Sequence, residues 1–289
     1  MPEEISLAII GGSGLYGLQG IENVREHDVD TPFGRPSAPI LSGSLENRRI
    51  AFLARHGVGH HLTPSEVPYR ANIYALKTLG VERIVSISAC GSLREDLMPG
   101  HIVVPDQLLD NTRARPRSFF DGGLVVHLSV PNPFCPDLSI HIARAVKEAG
   151  GVTHTGGTFV TVEGPRFSTR AESSLYRSWG ISLIGMTTAP EAFLAREAEM
   201  CYAVMAHVTD FDVWHTSAAP VTVDAVVKTL GKNTQLAQEA VRLLIRRLPS
   251  ERLCDCATAL AGAIITRRDV VPEATVKKLS PLIEKYISK

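Results

Sequence analysis

The sequence predicts a single α/β domain that ends in a helical tail. The main evidence is the stretch from Thr158 to Trp214, where apolar strand-like segments alternate with helical ones in the order strand, helix, strand, helix, strand. The chain has 289 residues, of which 44% are hydrophobic and 21% charged, so it can bury a large core. The sequence contains no repeat or linker-like segment. We therefore expect one domain over residues 1–289, with the tail beginning at about residue 252.

The amino-terminal part of the chain predicts five strands and one helix. The helix covers residues 68–79, since Ile73, Leu76 and Leu79 recur at helical spacing and Gly80 ends it. Short apolar runs bounded by turn residues indicate the strands, of which the second and third form a hairpin. The strands are expected at residues 6–10, 38–45, 49–54, 83–89 and 102–105.

The rest of the chain predicts helices on either side of the alternating stretch, after a polar loop at residues 110–123. The helices are expected at residues 137–150 and 223–248, with a kink at Gly231 left open, and two more are expected within residues 252–287. The apolar run at residues 256–265 is too short to span a bilayer, so we interpret it as part of a buried helix.

Charge and cysteine content favour a small-molecule partner and a cytoplasmic location. Lys and Arg together number 30, as do Asp and Glu, and no long basic run occurs, which disfavours nucleic acid and anionic membranes as partners. Residues 1–4 are acidic where a signal peptide would be basic. Five cysteines in a chain of this length do not make a disulfide scaffold.

Polar residues follow three apolar strands of the alternating stretch. They are residues 163–166, 186–188 and 210–212. In open α/β sheets, ligands bind in the crevice beyond the strand ends, so three such ends predict one pocket. Asp210 and Asp212 could cap the following loop. Alternatively they accept hydrogen bonds from N–H groups of a planar heterocycle. One of them would also act as a general acid, because the apolar neighbours Phe211 and Trp214 raise the pKa of its carboxyl.

Other strand ends carry groups suited to an anion. Ser and Thr at such positions usually cap turns, and only their joint placement with an arginine predicts a phosphate site. The candidates are Ser13, Arg55 with His56, Ser88 with Ala89, and Thr187. Gly12, Gly14 and Gly17 match the dinucleotide pattern G-x-G-x-x-G, but helix breakers at residues 30–36 disfavour a Rossmann unit. A glycine-rich turn that binds an anion through its N–H groups and Ser13 is the alternative.

Two further clusters contain residues found in metal or redox sites. A zinc site could be formed by His56, His60 and His61 if they lay on one helix. Gly57 and Gly59 disfavour a helix there, so we expect no metal. The pair Cys254 and Cys256 fits neither C-x-x-C redox chemistry nor a full metal ligand set. A strained disulfide and two buried thiols are both open.

Ten short segments of the chain match one family in order. They are GGSGL, DTPFG, ARHG, ANIYALK, ACGSLRE, PGHIVVPDQ, FCP, EGPRFSTRAE, MTTAPEAFLAREAEMCYA and TDFDVW. They resemble the 5′-methylthioadenosine phosphorylases of the trimeric purine nucleoside phosphorylase family, and the similarity covers nearly everything from residue 7 to about residue 248. The resemblance implies the nucleoside phosphorylase fold, a mixed central sheet flanked by helices, in a homotrimer or a dimer of trimers. It also implies phosphorolysis of a nucleoside, with inorganic phosphate as co-substrate and with no cofactor or metal.

The resemblance assigns a role to each candidate residue. Phosphate would be held by Ser13, Arg55, His56, Ser88, the backbone of Ala89, and Thr187. Met186 would lie under the ribose, Phe167 and Ser168 beside the purine, Asp210 at N7 and Asp212 at the 6-amino group. The methylthio pocket would comprise Val223, Val226, Val227 and a neighbouring subunit's His127. Some relatives carry disulfides, which leaves Cys254–Cys256 and Cys135–Cys201 as candidates.

The chemistry of the reaction agrees with these roles. Cleavage of an N-glycosidic bond pushes negative charge into the departing base, so an acid is needed at the base and an anion must be held on the other face of the sugar. A carboxylate at Asp212 accepts from an amino group, which favours adenine, and three valines favour a methylthio group over a hydroxyl. The alternatives are a phosphorylase for purine nucleosides or methylthioinosine and a non-catalytic nucleoside-binding protein.

Overall fold

A computed structural model describes residues 5–11, 20–215 and 223–287, although several side chains of residues 223–233 lie outside the description. Its centre is a mixed sheet of 11 strands, flanked by helices on both faces. The predicted fold class is therefore confirmed. Among the described helices, none combines the length and the apolar character that crossing a membrane requires.

The strands are β1 Leu7–Gly11, β2 Glu22–His27, β3 Ile40–Leu45, β4 Arg48–Ala54, β5 Arg83–Ser92, β6 Ile102–Val104, β7 Gln107–Asn111, β8 Thr153–Thr155, β9 Thr158–Val162, β10 Leu183–Gly185 and β11 Cys201–Asp210. The α-helices are α1 Tyr69–Thr78, α2 Pro136–Glu148, α3 Arg170–Ser178, α4 Thr188–Glu197, α5 Val223–Arg247 and α6 Glu273–Ile283. Two short 3-10 helices, Asp255–Thr258 and Arg268–Val270, lie in the tail.

Strand β5 lies at the centre of the sheet. It pairs in parallel with β1 and β11 and in antiparallel fashion with β10, and β1 pairs in parallel with β4. The carboxyl ends of β4, β1, β5 and β11 consequently meet at one edge of the sheet. Strand β10 brings Gly185, the residue before Met186, to the same edge, because its Ile184 pairs with Gly91.

The two faces of the sheet bury separate apolar clusters. Along β11, Tyr202 and Val204 pack on the face covered by α1, α4 and α6, whereas Ala203 and Met205 pack on the face covered by α2 and α5. This alternation is what a strand with both faces covered requires. It also explains why the sequence of β11 is a continuous apolar run.

The sequence analysis missed three strands. β2, β7 and β8 carry mostly polar side chains that are exposed or half-buried, so their sequences lack the apolar runs that predicted the other strands. They are strands because their backbones pair with β3, β9 and β6 respectively.

The prediction of two helices in the tail is wrong. Residues 252–287 contain one α-helix, α6, and the apolar run at residues 256–265 is not a helix beyond the 3-10 turn. Its backbone groups are bonded to other segments: Leu260 N–H donates to Glu199 Oε1, and the Ala263 carbonyl accepts from His127 N–H. Helix α5, in contrast, runs through Gly231 as one helix.

Gly185→Ala is expected to lower the free energy of unfolding by about 1–3 kcal/mol, as overpacking of a tight core does. A Cβ at this position would lie 2.5 Å from Cζ of Phe159, which is fully buried. Gly231→Ala is the matched control, since its Cβ would meet nothing within 4 Å, and it should raise stability by about 0.5–1 kcal/mol. Urea denaturation of both variants tests this. A neutral Gly185→Ala would contradict the packing described.

Candidate active site

Arg55 follows β4 directly and lies buried beneath the strand-end crevice, where it pairs with Glu191 of α4. Arg55 Nε donates to Glu191 Oε2 and Nη2 to Oε1, both over 2.8 Å. Nη2 also donates to Ser86 Oγ over 2.6 Å, and Nη1 approaches Ser88 Oγ at 3.4 Å. Two of its three nitrogens are therefore engaged with Glu191, and Nη1 is the one nearest the predicted phosphate ligand Ser88.

Arg55 keeps its charge despite burial. Burial alone lowers the pKa of Arg55, but the adjacent Glu191 carboxylate more than offsets this, so the net pKa lies above the ordinary value. Tyr202 OH donates a further hydrogen bond of 2.8 Å to Glu191 Oε1. A buried pair whose remaining groups are satisfied in this way is costly to break.

His56 is buried next to Arg55 and is neutral near pH 7. Burial, with Arg55 nearby, lowers the pKa of its ring to about 4. Its Nδ1 lies 2.9 Å from the Leu62 carbonyl, which can only accept, so Nδ1 carries the proton. Nε2 of the neutral ring is consequently an acceptor, suited to a hydroxyl of a protonated phosphate.

Met186 and Thr187 lie between β10 and α4, and Arg115 fixes the backbone around them. Arg115 Nη1 donates to the carbonyls of Met186 and Ala189 over 2.6 and 2.9 Å, and Nη2 donates to the Glu163 carbonyl over 2.8 Å. Thr187 is the N-cap residue of α4 and is 7% exposed, but its hydroxyl makes no capping bond. The Thr187 hydroxyl therefore does not bind the first N–H groups of α4.

Glu163 holds the loop after β9 in place. Burial alone raises the pKa of this carboxyl, but the Ser65 hydroxyl, two backbone N–H groups and Arg115 lower it to about 2. The adjoining Gly164 lies against Met186, because a Cβ built there would be 2.6 Å from the Met186 sulfur. The loop and the predicted ribose contact Met186 are thus packed together.

Asp210 ends β11 and is held by its neighbours. Thr209 Oγ1 donates to Asp210 Oδ2 over 2.7 Å, and Asp212 N–H donates to Oδ1 over 2.8 Å, which forms a local turn of the kind Asp favours. Burial raises the pKa of Asp210 above its ordinary value, against the lowering effect of these two donors. Asp210 therefore forms the local turn that one interpretation predicted and has the raised pKa that the other predicted.

Asp212 has a backbone φ of 49° and a buried carboxyl. Burial raises its pKa, and the nearby hydroxyls of Ser173 and Ser168 oppose the rise. Within the described ranges, Asp212 Oδ2 and Ser173 Oγ have no hydrogen-bond partner. Buried polar atoms are nearly always paired, so these neighbouring groups can complete a hydrogen bond with each other or with a polar ligand.

Gly91 allows the two acids to sit close to β5. An added Cβ would lie 3.0 Å from Asp210 Oδ1 and 3.3 Å from Asp212 Cβ. The structure therefore gathers Asp210, Asp212 and Ser168 at one end of β11. Phe167, 39% exposed, precedes Ser168 on the same loop, and Phe211 stacks on His215 at a centroid distance of 4.7 Å.

The predicted methylthio pocket is not assembled within the described part of a single chain. Val227 is 59% exposed, and His127 lies exposed on a surface loop. Ser13 and the side chains of Val223 and Val226 lie outside the described residues.

Sequence reasoning gave no role to several residues that the site depends on: Ser86, Arg115, Glu191 and Tyr202. One signal could have indicated Glu191: it stands in the apolar sequence 188–195, where a lone carboxylate needs a cationic partner. Arg115 lies in a polar loop with three arginines and carried no comparable signal.

Comparisons with known proteins agree with this fold. The family model described as the phosphorylase superfamily matches residues 6–246. A curated relative, S-methyl-5′-thioadenosine phosphorylase of Geobacter sulfurreducens, is 51% identical over 282 residues, which cover 97% of this chain and 99% of that protein.

Solved structures agree as well. A methylthioadenosine phosphorylase from an Antarctic soil metagenomic library has a TM-score of 0.92 and 47% identity, covering 97% of this chain and 99% of that one. The methylthioadenosine phosphorylase of Schistosoma mansoni in complex with adenine has a TM-score of 0.85 and 35% identity, covering 92% of this chain and 100% of that one.

The mixed sheet and its strand-end site define an enzyme of the phosphorylase superfamily. Within that superfamily, the chain belongs to the S-methyl-5′-thioadenosine phosphorylase family. The resemblance drawn from the ten sequence segments is confirmed.

Glu191→Gln is expected to destabilise the protein by about 3–5 kcal/mol, because it leaves Arg55 buried without a counter-charge. Glu172→Gln is the matched control, since the Arg166–Glu172 pair is also bidentate but exposed, and its loss should be much smaller. Thermal unfolding measures both. Equal effects of the two substitutions would contradict the importance of the buried pair.

Proposed function

We propose that the protein catalyses the reversible phosphorolysis of 5′-methylthioadenosine, giving adenine and 5-methylthioribose 1-phosphate. The observation that carries the proposal is the pair of acids at the end of β11, the half-buried Asp210 and the buried Asp212, beside β5, the strand that bears Ser88. Relatives from the same family are named for this activity, and one is described in complex with adenine.

Asp210 is the proposed proton donor to N7 of the departing base. Its raised pKa keeps a proton on the carboxyl to higher pH than an exposed Asp would allow. The bond from Asp212 N–H fixes the orientation of the carboxyl before substrate binds. Electron density leaving the sugar toward the base is thereby neutralised as the glycosidic bond breaks.

Asp212 is the proposed acceptor for the 6-amino group of adenine, with Phe167 and Ser168 beside the purine. Its unpartnered Oδ2 supports this role, because an amino group would satisfy it. A 6-oxo group is itself an acceptor, so it could not donate a hydrogen bond to the Asp212 carboxylate.

Inorganic phosphate is the proposed co-substrate, and no cofactor is needed. Its ligands would be Ser13, Arg55, His56, Ser88, the backbone N–H of Ala89, and Thr187, with Met186 under the ribose. The 3.4 Å approach of Arg55 Nη1 to Ser88 Oγ and the uncommitted hydroxyl of Thr187 support this assignment. Phosphate attacks C1′ as the bond to the base breaks, and no further group is transferred.

The proposed assembly is a homotrimer or a dimer of trimers of the whole chain, residues 1–289 being one domain. The neighbouring subunit's His127 would complete a methylthio pocket lined by Val223, Val226 and Val227. Exposure of Val227 and of His127 in the single chain supports a role for both at a contact. A cytoplasmic location is also proposed, supported by a cysteine content too low for a disulfide scaffold.

Asp210→Asn is expected to lower kcat by about 10²–10⁴-fold, since an amide can accept the bond of the local turn but cannot deliver a proton. Binding of methylthioadenosine and phosphate should persist. Adenine release in the presence and absence of phosphate measures turnover, and equilibrium binding measures affinity. Near-normal kcat would contradict the acid role.

Thr209→Val is the companion variant for pH dependence. The hydroxyl bond to Asp210 Oδ2 lowers the pKa of that carboxyl, so its removal should raise the pKa further. Activity falls as pH rises through the pKa of a general acid, so the alkaline limb of kcat should move to higher pH. If the alkaline limb of kcat does not move, that limb reports the pKa of a group other than Asp210.

Asp212→Asn is expected to shift preference toward 6-oxopurines, because an amide can donate where the carboxylate only accepts. The measurement compares kcat/KM for methylthioadenosine, methylthioinosine, adenosine and inosine. The same four assays separate the proposal from a phosphorylase with a different base or 5′ preference. No phosphate-dependent cleavage of any of them by the wild type would instead favour a non-catalytic nucleoside-binding protein.

A further inference from the structure

Four of the five cysteines meet at the end of the molecule where β11 begins. Cys201 is the first residue of β11, Cys135 precedes α2, and Cys254 and Cys256 follow α5. Their four sulfur atoms all lie within 4.8 Å of one another. Three of the four residues are buried and Cys254 is half-buried. The resemblance left Cys254–Cys256 and Cys135–Cys201 as two separate candidate pairs, and the structure brings both pairs together in one cluster.

The spacing of these sulfur atoms matches a tetrahedral metal site. A zinc–sulfur bond of about 2.3 Å places the sulfurs of a tetrahedron about 3.8 Å apart. Cys201 Sγ and Cys254 Sγ are separated by 3.4 Å, and no pair in the cluster exceeds 4.8 Å. The centre therefore accommodates one ion bound by all four thiolates.

Donors around the cluster are placed to offset the negative charge of thiolates. Leu138 N–H, in the first turn of α2, donates to Cys135 Sγ over 3.4 Å. Arg196 Nη1 donates to Cys256 Sγ over 3.0 Å. N–H groups directed at ligand sulfur are a usual feature of metal–thiolate sites.

We propose that Cys135, Cys201, Cys254 and Cys256 bind one structural Zn²⁺ ion. Four thiolates in a buried, closed arrangement fit Zn²⁺, and they leave no open position for catalysis. On binding, the four thiols lose four protons to the solvent and four sulfur–zinc bonds form, with no change of oxidation state.

A pair of disulfides is the competing use of these cysteines. Each disulfide would draw two sulfurs to about 2.05 Å, and a bond between Cys254 and Cys256 would close a strained ring over one intervening residue. In the structure all five described cysteines are free thiols. One ion accounts for the convergence of all four sulfurs, whereas disulfides would join them only in pairs.

The ion would act on stability and not on the reaction. Strand β11 separates Cys201 from Asp210 by nine residues, which is about 30 Å of extended chain. Zinc would join the segment after α5 to the start of β11 and of α2, which are distant in sequence. The zinc is thus independent of the proposed function, whose failure would leave this inference standing.

Metal analysis of the tag-free wild-type protein, purified in buffer containing EDTA, tests the inference. About one zinc per chain is expected, released when a mercurial reagent blocks the thiols. Protein grown with Co²⁺ in place of zinc should show the visible bands of tetrahedral tetrathiolate cobalt, a readout that needs no variant. Less than a tenth of the expected zinc, or iron in its place, would overturn the proposal.

Two variants and a thiol count complete the test. Cys254→Ser with Cys256→Ser should lose the zinc and lower Tm by about 5 °C or more, whereas Cys90→Ala should keep the zinc. Cys90 is the matched control because it is buried outside the cluster. Alkylation in denaturant with EDTA should modify all five cysteines. Fewer than five, or full zinc in the double variant, would refute the site.

Discussion

The parallel pairing of β5 with β11 is the contact on which the rest of the structure depends. Its register runs from Arg83 opposite Cys201 to Gly91 opposite Asp210, with a shift between Val208 and Asp210. A slip of one residue would exchange the two faces of β11 and move its terminal acid away from the glycine that makes room for it. The pairing therefore fixes the core and the position of the acid at once.

Sequence patterns predicted the strands that are covered on both faces, because such burial requires continuous apolar runs like that of β11. β2 and β7 could not be predicted in this way, since they are polar and exist through pairing with their neighbours. The error at residues 256–265 has the same origin. Composition favoured a helix there, but side-chain and backbone partners from elsewhere, such as Glu199, bind its backbone groups.

The rule that ligands bind at strand ends predicted a pocket around Asp210 and Asp212, and the structure places both acids together at the end of β11. Ser88 was also expected at the end of its strand, but β5 continues to Ser92, so Ser88 lies within β5 opposite Ala206. The residues that neutralise or support this set were not predictable from position. Glu191 forms an ion pair with Arg55, which is 136 residues away in the sequence. Arg115 joins two loops by donating hydrogen bonds to their carbonyls. Complementarity of buried charge is a tertiary property, so it becomes visible only when the chain is folded.

The pairing of Arg55 with Glu191 has a consequence for selectivity among anions. Because the two charges cancel, the interior of the crevice is not a general attractor for chloride, nucleotides or nucleic acid, all of which are abundant in cells. For the proposed phosphate, discrimination would then come from the number and direction of hydroxyl and amide donors, which suit a small tetrahedral oxyanion and not a spherical or extended one. Such a crevice recognises shape in preference to charge.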